Sequence, residues 1–495
     1  MAPKKLTEYE RRRLENITRN EELLASLKIH SKINELSAAT KRQRVPSKVS
    51  PDKKSKTEAP IVTRRSLRGQ GIQPDPSTAG GLKDDFDETR IKAPNSPSIP
   101  EKLPREPGPL SMREAYDGTT SDRKLIETIL GVSMKSQFGC SDGSTVSIDE
   151  GSCNSIGGVP ENKNFGCPIR VRGSVDLESL KLEEENIARV VPGRILAMRF
   201  FPSNDMKMIV VGNKFGNVGF WNVDSNMEDG DGIYLYHPHS GPVSGIVIQP
   251  FSLSKMFTCS YDGFIRLMDV EKEAFDLVYY SDHAIFSLSQ RKNDIKSLYF
   301  GEGHGGLSIW DERTGKSVTS WTLHEDRINT IDFNSENTNI MATSSTDGTV
   351  CIWDLRNIAA DKPNFLKKVS HERAVHSAFF SPSGSCLATT SIDDKVGFLS
   401  GANYEDISMI YHYNQTGRWL SSFRAIWGWD DSYIFIGNMK RGVDVISTSE
   451  RRKSVVTLES PYMSAISCRF DAHPCKVGML AGATSGGQVY MWTSC

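Results

Sequence analysis

One set of residues in this chain has the types and the order of a hydrolytic triad. His324, Ser344 or Ser345, and Asp347 lie close together in the sequence, and Trp353 follows them. A histidine that deprotonates a serine hydroxyl and is oriented by a carboxylate is the arrangement of Ser-His-Asp hydrolases. The same residues could instead form a buried hydrogen-bond network that satisfies a carboxylate inside a β-structure. Because parts of the set recur elsewhere in the chain, the sequence favours the structural interpretation.

Other signatures of catalysis or cofactor binding are missing from the sequence. It has no P-loop, no Gly-x-Ser-x-Gly and no zinc-spaced Cys/His set. Its nine cysteines form no CxxC pair, which is typical of a reduced, intracellular protein. Its longest apolar runs are too short to span a bilayer. We therefore predict that the protein is not an enzyme, binds no cofactor, metal or small-molecule substrate, and has no membrane role.

The elements that must position these residues are short β-strands that repeat along the chain. In each repeat a turn is followed by a strand rich in β-branched residues, and a histidine precedes several of these strands. Seven such strands end at Trp221, Met268, Trp310, Trp353, Leu399, Ile446 and Trp492. This pattern resembles the WD-repeat β-propeller. The resemblance implies an all-β fold with seven blades of four strands.

The repeats also predict how the chain is organised. Residues 168–495 should form the propeller, with Ile187 to Val191 supplying the outermost strand of the last blade and closing the ring. Residues 1–40 should form an amphipathic helical segment, because apolar residues recur at helical spacing there. Residues 41–167 should form a basic, low-complexity and disordered linker, with one short helix at Ser121 to Leu130 that Asp122 could cap. Nothing before about residue 168 is expected to join a packed core.

Charge is distributed unevenly along the chain. It contains 60 Lys and Arg residues against 61 Asp and Glu residues, yet residues 1–74 hold 18 basic and 8 acidic residues. Clusters such as Lys41 to Lys56 and Arg64 to Arg68 are typical of segments that import receptors recognise or that lie along phosphates. The alternative is a solvated linker with no partner. We predict nuclear localisation.

Two arginines follow the strand ends at the rim of the predicted propeller. Arg356 follows Trp353 and Asp354, and Arg313 occupies the same position one repeat earlier. The Trp-Asp-x-Arg pattern resembles the box through which substrate receptors dock on the triple-propeller adaptor of cullin-4 ubiquitin ligases. Arginine suits such an interface because its planar fork pairs with carboxylates and carbonyls. The alternative is a rim arginine in a weak surface pair.

A second cluster of polar and aromatic residues departs from the repeat pattern before the sixth blade. Aromatic and amide side chains beside cations are suited to bases and phosphates. Trp419 is the exception, because we expect it to fill the core of its blade. The candidate nucleic-acid contacts, expected on one face of the propeller, are Lys214, Lys395, Asn414, Gln415, Arg418, Lys440 and Arg441.

Four stretches together resemble the WD-repeat family that includes WD repeat-containing protein 76 and its fungal DNA-damage-binding relatives. They are Leu6 to Ile17, Arg64 to Arg68, Ser260 to Arg266 and Asn414 to Trp419. The resemblance implies a nuclear protein that associates with DNA or chromatin in the DNA-damage response and serves as a cullin-4 substrate receptor, as a monomer within a complex. It also implies a relationship to damaged-DNA-binding protein subunit 2.

The related subunit inserts an aromatic wedge into the lesion. At the matching position this chain has Asn414, Gln415 and Thr416, so contact with the DNA backbone is more plausible than insertion. A scaffold that meets chromatin through proteins alone, with no direct DNA binding, is the alternative function.

Overall fold

The structure is a computed structural model that describes Thr18 and residues 105–138, 171–225, 230–249, 251–358, 363–417, 419–448 and 454–494. Seven antiparallel sheets follow one another along these residues. The first strands of neighbouring sheets pack against one another around a common centre. The prediction of an all-β, seven-bladed propeller is therefore confirmed. None of the helices in the described ranges is long and apolar enough to cross a membrane.

The first four blades contain four strands each that pair in chain order. The strands of blades 1 and 2 are β4 (Ile195–Phe200), β5 (Met208–Asn213), β6 (Val218–Asn222), β7 (Ile233–Tyr236), β8 (Val243–Ile248), β9 (Lys255–Ser260), β10 (Phe264–Asp269) and β11 (Ala274–Tyr280). Those of blades 3 and 4 are β12 (Ile285–Arg291), β13 (Asp294–Glu302), β14 (Gly306–Asp311), β15 (Lys316–Thr322), β16 (Ile328–Phe333), β17 (Ile340–Ser345), β18 (Thr349–Asp354) and β19 (Lys367–Ser370).

Blades 5 and 6 repeat this order, but the first strand of blade 6 is reduced to two residues. Their strands are β20 (Val375–Phe380), β21 (Leu387–Ser391), β22 (Lys395–Ser400), β23 (Asp406–Tyr411), β24 (Ile426–Trp427), β25 (Tyr433–Gly437), β26 (Val443–Ser447) and β27 (Ser454–Leu458). Among the described residues, short 3₁₀ helices lie at Leu177–Ser179, Glu184–Asn186 and Gly303–Gly305.

Blade 7 closes the ring with strands from both sides of the propeller sequence. Its consecutive strands are β28 (Ser467–Ala472), β29 (Met479–Thr484) and β30 (Gln488–Ser494). The free edge of β30 pairs antiparallel with β3 (Ile187–Arg189) and with β2 (Leu180–Lys181). The predicted closing strand is therefore confirmed over Ile187–Arg189. This pairing covers an edge that would otherwise expose unpaired backbone groups.

The blades form because the central strands are buried on both faces. In β17 and β18 all but the first residue of each strand is buried, and Met341 pairs with Trp353 across the ladder. Strands sandwiched between neighbouring blades have no solvent face, so apolar and small polar residues fill both sides. The polar residues among them make hydrogen bonds within the blade, as described below.

Residues 105–138 form a strap across blades 1 and 2. Strand β1 (Leu110–Ser111) pairs with β11, and it leads into helix α1 (Met112–Ala115) and then helix α2 (Arg123–Phe138). Ser111 and Glu114 form a capping box at the start of α1. The apolar side of the strap packs into the core of blades 1 and 2 through Met112, Ala115, Leu125, Ile126, Ile129 and Val132.

The strap corrects the expectation that nothing before residue 168 joins a packed core. The predicted short helix exists as α2, and Asp122 accepts a hydrogen bond from Tyr236 of β7 at 2.9 Å. The sequence reasoning failed because it judged this segment by the Pro- and Gly-rich stretches on either side. The amphipathic segment predicted at 1–40 lies outside the described residues apart from Thr18, and so does most of the predicted linker.

Candidate functional site

The residues that resemble a hydrolytic triad form a buried network inside blade 4. His324 contacts Asp347 through Nδ1 at 3.0 Å and Thr343 through Nε2 at 2.7 Å. The indole Nε1 of Trp353 donates to the same threonine hydroxyl at 2.8 Å. The hydroxyl partner of the histidine is therefore Thr343, which corrects the expectation of Ser344 or Ser345. Thr343 is fully buried and occupied by these two groups, so it is no nucleophile.

The carboxylate of Asp347 shows what the network does. Burial alone would raise its pKa, but hydrogen bonds from His324 and Thr349 hold the pKa well below the usual range. Ser345 contributes by accepting from the Asp347 backbone amide at 3.1 Å. The network therefore keeps a charged turn residue satisfied at the edge of the core.

The same network recurs in two other blades. His239 bridges Asp262 and Thr258 in blade 2. His371 bridges Asp393 and Thr389 in blade 5 at 3.3 and 3.1 Å. These repeats support the structural interpretation of His324. Within the described ranges, no group of three or more His, Cys, Asp or Glu side chains could hold a metal ion.

The candidate nucleic-acid contacts lie mainly on one face, which we call the top face. It is formed by the turns between the second and third strands of each blade and by the loops that lead into the first strands. Lys214 lies in the turn after β5, and Lys440 and Arg441 lie in the turn after β25. All three are exposed, and Lys214 Nζ lies 4.5 Å from the centre of the Phe215 ring. Exposed cations of this kind can reach a phosphate.

Lys395 is less available than these three cations. Its Nζ atom forms an ion pair with Glu372 at 2.6 Å, and this hydrogen bond raises the pKa of the lysine. A phosphate would have to compete with the carboxylate for this ammonium group. The pair therefore lowers the positive charge that blade 5 presents on the top face.

In the loop before blade 6 (412–425), one of the predicted nucleic-acid contacts is buried and has a structural role, whereas another is exposed. Asn414 is buried, and its amide donates to the carbonyl oxygen of Ser391 at 2.8 Å. Gln415 is exposed, but its Nε2 atom donates to Asp394 Oδ2 at 2.7 Å. Asn414 is thus held inside the protein, where it shapes the loop and cannot reach a base. Arg418 lies outside the described residues.

Trp419 is the most exposed of the large hydrophobic side chains in the described ranges, with 85% of its surface accessible. The expectation that it fills the core of its blade is wrong. Trp427 and Trp429 already occupy that position and are almost completely buried. Tyr411 and Tyr413, which flank the start of the same loop, are also exposed.

The loop is fixed in place although its aromatic residues are exposed. The Ser421 hydroxyl donates to the carbonyl oxygen of Ile195 in blade 1 at 3.1 Å, and its backbone amide donates to Ser485 in blade 7 at 3.1 Å. Blade 7, which neighbours blade 6, and blade 1 beyond it therefore both hold the loop. This anchoring presents Trp419 on a supported surface, where an aromatic ring can stack with little loss of conformational entropy.

The two rim arginines lie on the opposite face, after β18 and β14. Arg356 makes a bidentate pair with Asp354 of its own chain at 2.9 and 2.7 Å. Arg313 pairs with Asp311 in the same way at 3.2 and 2.9 Å. Both guanidinium groups remain largely exposed. Each carboxylate therefore orients an arginine at the rim and leaves its outer edge open to a partner.

Trp353 is the member of the proposed docking box that cannot contact a partner directly. It is 2% exposed and donates to Thr343 inside the blade. Its role at the rim is to support the strand that carries Asp354 and Arg356. Any contact with an adaptor therefore rests on the two arginines and on the loops beside them.

Comparisons with known proteins agree with this architecture. The WD domain, G-beta repeat, matches residues 315–354, which run from just before β15 to the end of β18. WD repeat-containing protein 76 of Xenopus laevis is 28% identical over 98% of this chain and 80% of its own length. The mouse (Mus musculus) protein of the same name is 26% identical over 98% of this chain and 74% of its own length.

A fungal protein matches over its complete length. DNA damage-binding protein cmr1 of Aspergillus oryzae is 26% identical over 99% of this chain and 100% of its own length. The resemblance found in the sequence is therefore confirmed. These WD-repeat relatives match along nearly the whole chain, including the segments before the propeller.

Sequence reasoning missed several residues that shape the top face and the strap. Phe215 follows Lys214 directly and is exposed beside it, and only its position in a turn could have indicated this. Arg266 occupies an interior position of the apolar strand β10, and a charge at such a position is itself a signal. Its guanidinium donates to the carbonyl oxygens of Gly108 and Glu106 in the strap.

Proposed function

We propose that this chain is a nuclear WD-repeat protein that associates with DNA or chromatin in the DNA-damage response. The observation that carries the proposal is the anchored loop that exposes Trp419 on the same face as Lys440 and Arg441. An exposed aromatic ring beside free cations is suited to stacking on a base and pairing with phosphates. Relatives that match the full chain bear the name DNA damage-binding protein, which supports the same proposal.

The charge of the chain limits how tightly it can bind. Basic and acidic residues nearly balance, and Lys395 is paired with Glu372. We therefore expect moderate affinity that falls steeply with salt, with the basic residues 1–74 adding phosphate contacts and the signal for nuclear import. Among the predicted residues, Lys214, Arg418, Lys440 and Arg441 remain the proposed cationic contacts, and Gln415 remains a proposed polar contact.

A salt titration of DNA binding tests the proposal. We would measure the affinity of the full-length chain for duplex and single-stranded DNA by fluorescence anisotropy over a range of salt concentrations. Removing both charges, by Lys440→Gln with Arg441→Gln, should make the slope of log K against log salt for duplex DNA less negative by about 1.8, which is 0.9 per lost phosphate contact. The matched control is Lys367→Gln with Lys368→Gln on strand β19, which removes two charges from the outer edge of blade 4.

Replacing the exposed ring separates stacking from charge. Trp419→Ala should weaken binding by about 1–3 kcal/mol, with a larger effect on single-stranded DNA and an unchanged salt slope. DNA binding that survives reversal of Lys440 and Arg441 together with deletion of residues 1–74 would refute direct binding through this face. Failure of the purified wild-type chain to bind naked DNA, with retention on chromatin, would favour the protein-interaction scaffold.

We further propose that the opposite rim docks the triple-propeller adaptor of cullin-4 ubiquitin ligases, which makes the chain a substrate receptor. Arg356 and Arg313 are exposed there and are held in defined orientations by Asp354 and Asp311. Orientation by a carboxylate reduces the entropy that an arginine loses on binding. Because the two proposed surfaces lie on opposite faces, one chain could hold chromatin and the ligase at the same time.

A further inference from the structure

The centre of the propeller contains a cavity with an unusual charge. It has a volume of about 70 Å³ and is lined by residues from or beside the first strand of every blade. Its lining includes Arg199, Arg424 and Arg469 and, among the described residues, no Asp or Glu side chain. Arg199 lies 3.9 Å from Asp471, which offsets its charge. The other two arginines therefore give the cavity a net positive lining.

Within the described residues, Arg424 and Arg469 make only some of the hydrogen bonds that a guanidinium group can make. Arg469 is buried and donates to the carbonyl oxygens of Leu196, Ser422 and Cys468. Arg424 donates through Nη2 to the carbonyl oxygen of Asn329 at 3.2 Å, while its buried Nε atom has no hydrogen-bond partner among the described residues. Burial lowers the pKa of both guanidinium groups below the ordinary value, and the charge of Arg469 lowers the pKa of Arg424 further. Carbonyl groups satisfy hydrogen bonds but do not neutralise charge.

Further unsatisfied groups lie on the first strands of the neighbouring blades. His376 Nε2 and Ser377 Oγ on β20, and Ser467 Oγ on β28, are buried and make no hydrogen bond to the protein. Burial and the nearby Arg424, with Arg469 and Arg327, lower the pKa of His376 to about 3, so its imidazole is neutral. Hydroxyl groups and a neutral imidazole can each donate one hydrogen bond. These three residues do not line the cavity, so Arg424 and Arg469 are the donors available to a ligand there.

Water or an anion could satisfy these donors, and the charge distinguishes between them. Ordered water molecules complete hydrogen bonds but leave two buried guanidinium groups uncompensated, which is costly in a medium of low polarity. A tetrahedral oxyanion accepts hydrogen bonds from several directions and neutralises the arginines. The cavity volume corresponds to about five water-sized probes, at 10–15 Å³ each, and a phosphate has five heavy atoms.

We propose that the central cavity binds one free phosphate-sized oxyanion, held by Arg424 and Arg469. The cavity is lined by the innermost strands, whereas the cations proposed to contact DNA lie in exposed turns of blades 1 and 6. The anion site is thus distinct from the proposed DNA surface and does not depend on it. Its role is to hold blades 6 and 7 together where the first strand of blade 6 is short.

Calorimetric titration of the full-length chain with inorganic phosphate, in a chloride buffer, tests the site. We expect one phosphate per chain. Arg424→Met should weaken phosphate binding by about 10- to 100-fold, because it removes charge-assisted hydrogen bonds. The matched control is Lys368→Met on the exposed outer strand β19, which should leave phosphate affinity unchanged. Absence of binding to the wild-type chain, or equal binding by both variants, would overturn the proposal.

A second variant and a DNA arm complete the test. Arg424→Lys keeps the positive charge but lacks the planar fork, so it should weaken phosphate binding several-fold even if Arg424→Met does not fold. Loss of phosphate binding in the Arg424 variant with unchanged DNA affinity would support a separate site for a free anion. If the wild-type chain does not bind free phosphate and Arg424→Met weakens DNA binding instead, the cavity binds a phosphate group of the nucleic acid and the proposal is wrong.

Discussion

Replacing Arg266 should release the strap from blade 2 without unfolding the propeller. This arginine is 1% exposed, and its guanidinium donates to the carbonyl oxygens of Gly108 at 2.6 Å and of Glu106 at 3.1 Å. The side chain thus connects the middle of β10 to residues that precede β1. Arg266→Met keeps most of the length and the apolar contacts of the side chain but removes both bonds to the strap.

The expected effect follows from the two lost hydrogen bonds. Bonds to a charged donor contribute about 1.5–3 kcal/mol each, so the lower limit for the pair is about 3 kcal/mol. Relief of the buried charge reduces this loss, because Arg266 has no carboxylate within hydrogen-bond distance and burial lowers its pKa. Near this lower limit, the strap would open about a hundredfold more often.

Native-state hydrogen exchange can measure this opening. The amide of Met112 donates to the Glu273 carbonyl oxygen at 2.8 Å, and the amide of His237 donates to the Ala115 carbonyl oxygen at 2.7 Å. Both bonds join the strap to the propeller, so both amides should lose about a hundredfold of protection in Arg266→Met. Amides of β17 in blade 4 should keep their protection and serve as the internal control.

Two outcomes would refute this reasoning. Unchanged protection of Met112 and His237 would mean that the apolar side of α2 alone holds the strap. Equal loss of protection in the strap and in β17 would mean that the strap and the propeller unfold as one unit. Arg266→Lys provides a matched variant, because it keeps the positive charge but cannot donate to two carbonyl groups from one planar fork.

Three other predictions concern the network, the buried histidines and the rim. Thr343→Val should cost about 2–6 kcal/mol in urea unfolding, because it leaves the buried indole N–H of Trp353 and Nε2 of His324 without their hydrogen-bond partner, whereas Ser345→Ala should cost less. Burial lowers the pKa of His376 to about 3 and of His473 to about 4, so the unfolded state takes up protons first as the pH falls. The unfolding free energy should therefore fall by roughly 2 kcal/mol per histidine between pH 7 and 5, and His376→Gln should remove its share of this fall, about 2 kcal/mol. Arg356→Ala should weaken pull-down of the ligase adaptor, and full retention by this variant would count against docking through Arg356.

The propeller could be predicted because its repeat depends on local rules. Each blade needs a turn, a strand of β-branched residues and a buried network, and these leave a period that seven copies make visible. Even so, the hydroxyl of the network was assigned to Ser344 or Ser345 when it belongs to Thr343. Neighbouring residues of a strand point to opposite faces, so a shift of one residue changes the partner of His324.

The strap could not be predicted in this way, because it has no period of its own. Its stability comes from contacts with residues far away in the sequence, such as Arg266 with Gly108 and Tyr236 with Asp122. The composition of a segment indicates whether it can fold alone, but it does not indicate whether the segment can fold against an existing surface. The charged residue inside β10 was the available signal, since a buried arginine requires acceptors from outside its strand.

The exposure predicted for the top-face residues agrees with the structure in the turns but not in the irregular loop before blade 6. Lys440 and Arg441 are exposed as expected because turn residues have few alternatives to solvent. The sequence predicts that Asn414 contacts DNA and that Trp419 fills the core, but Asn414 is buried and Trp419 is exposed. In an irregular loop, the burial of a side chain depends on which polar groups of the surrounding blades need a hydrogen-bond partner, and this cannot be predicted from the loop sequence alone.

The departure of blade 6 from the repeat explains why both proposed ligand sites meet there. Its first strand has only two residues, so the preceding loop must supply the inner surface that a longer strand provides elsewhere. That loop carries Trp419 outward and Arg424 inward, and Ser421 ties it to blades 1 and 7 between them. A regular strand could not do this, because its ladder fixes the direction of every side chain. We therefore expect Trp419→Ala to affect DNA binding, and Arg424→Met to affect anion binding, more than either affects stability, whereas Ile328→Ala in the core of β16 should mainly lower stability.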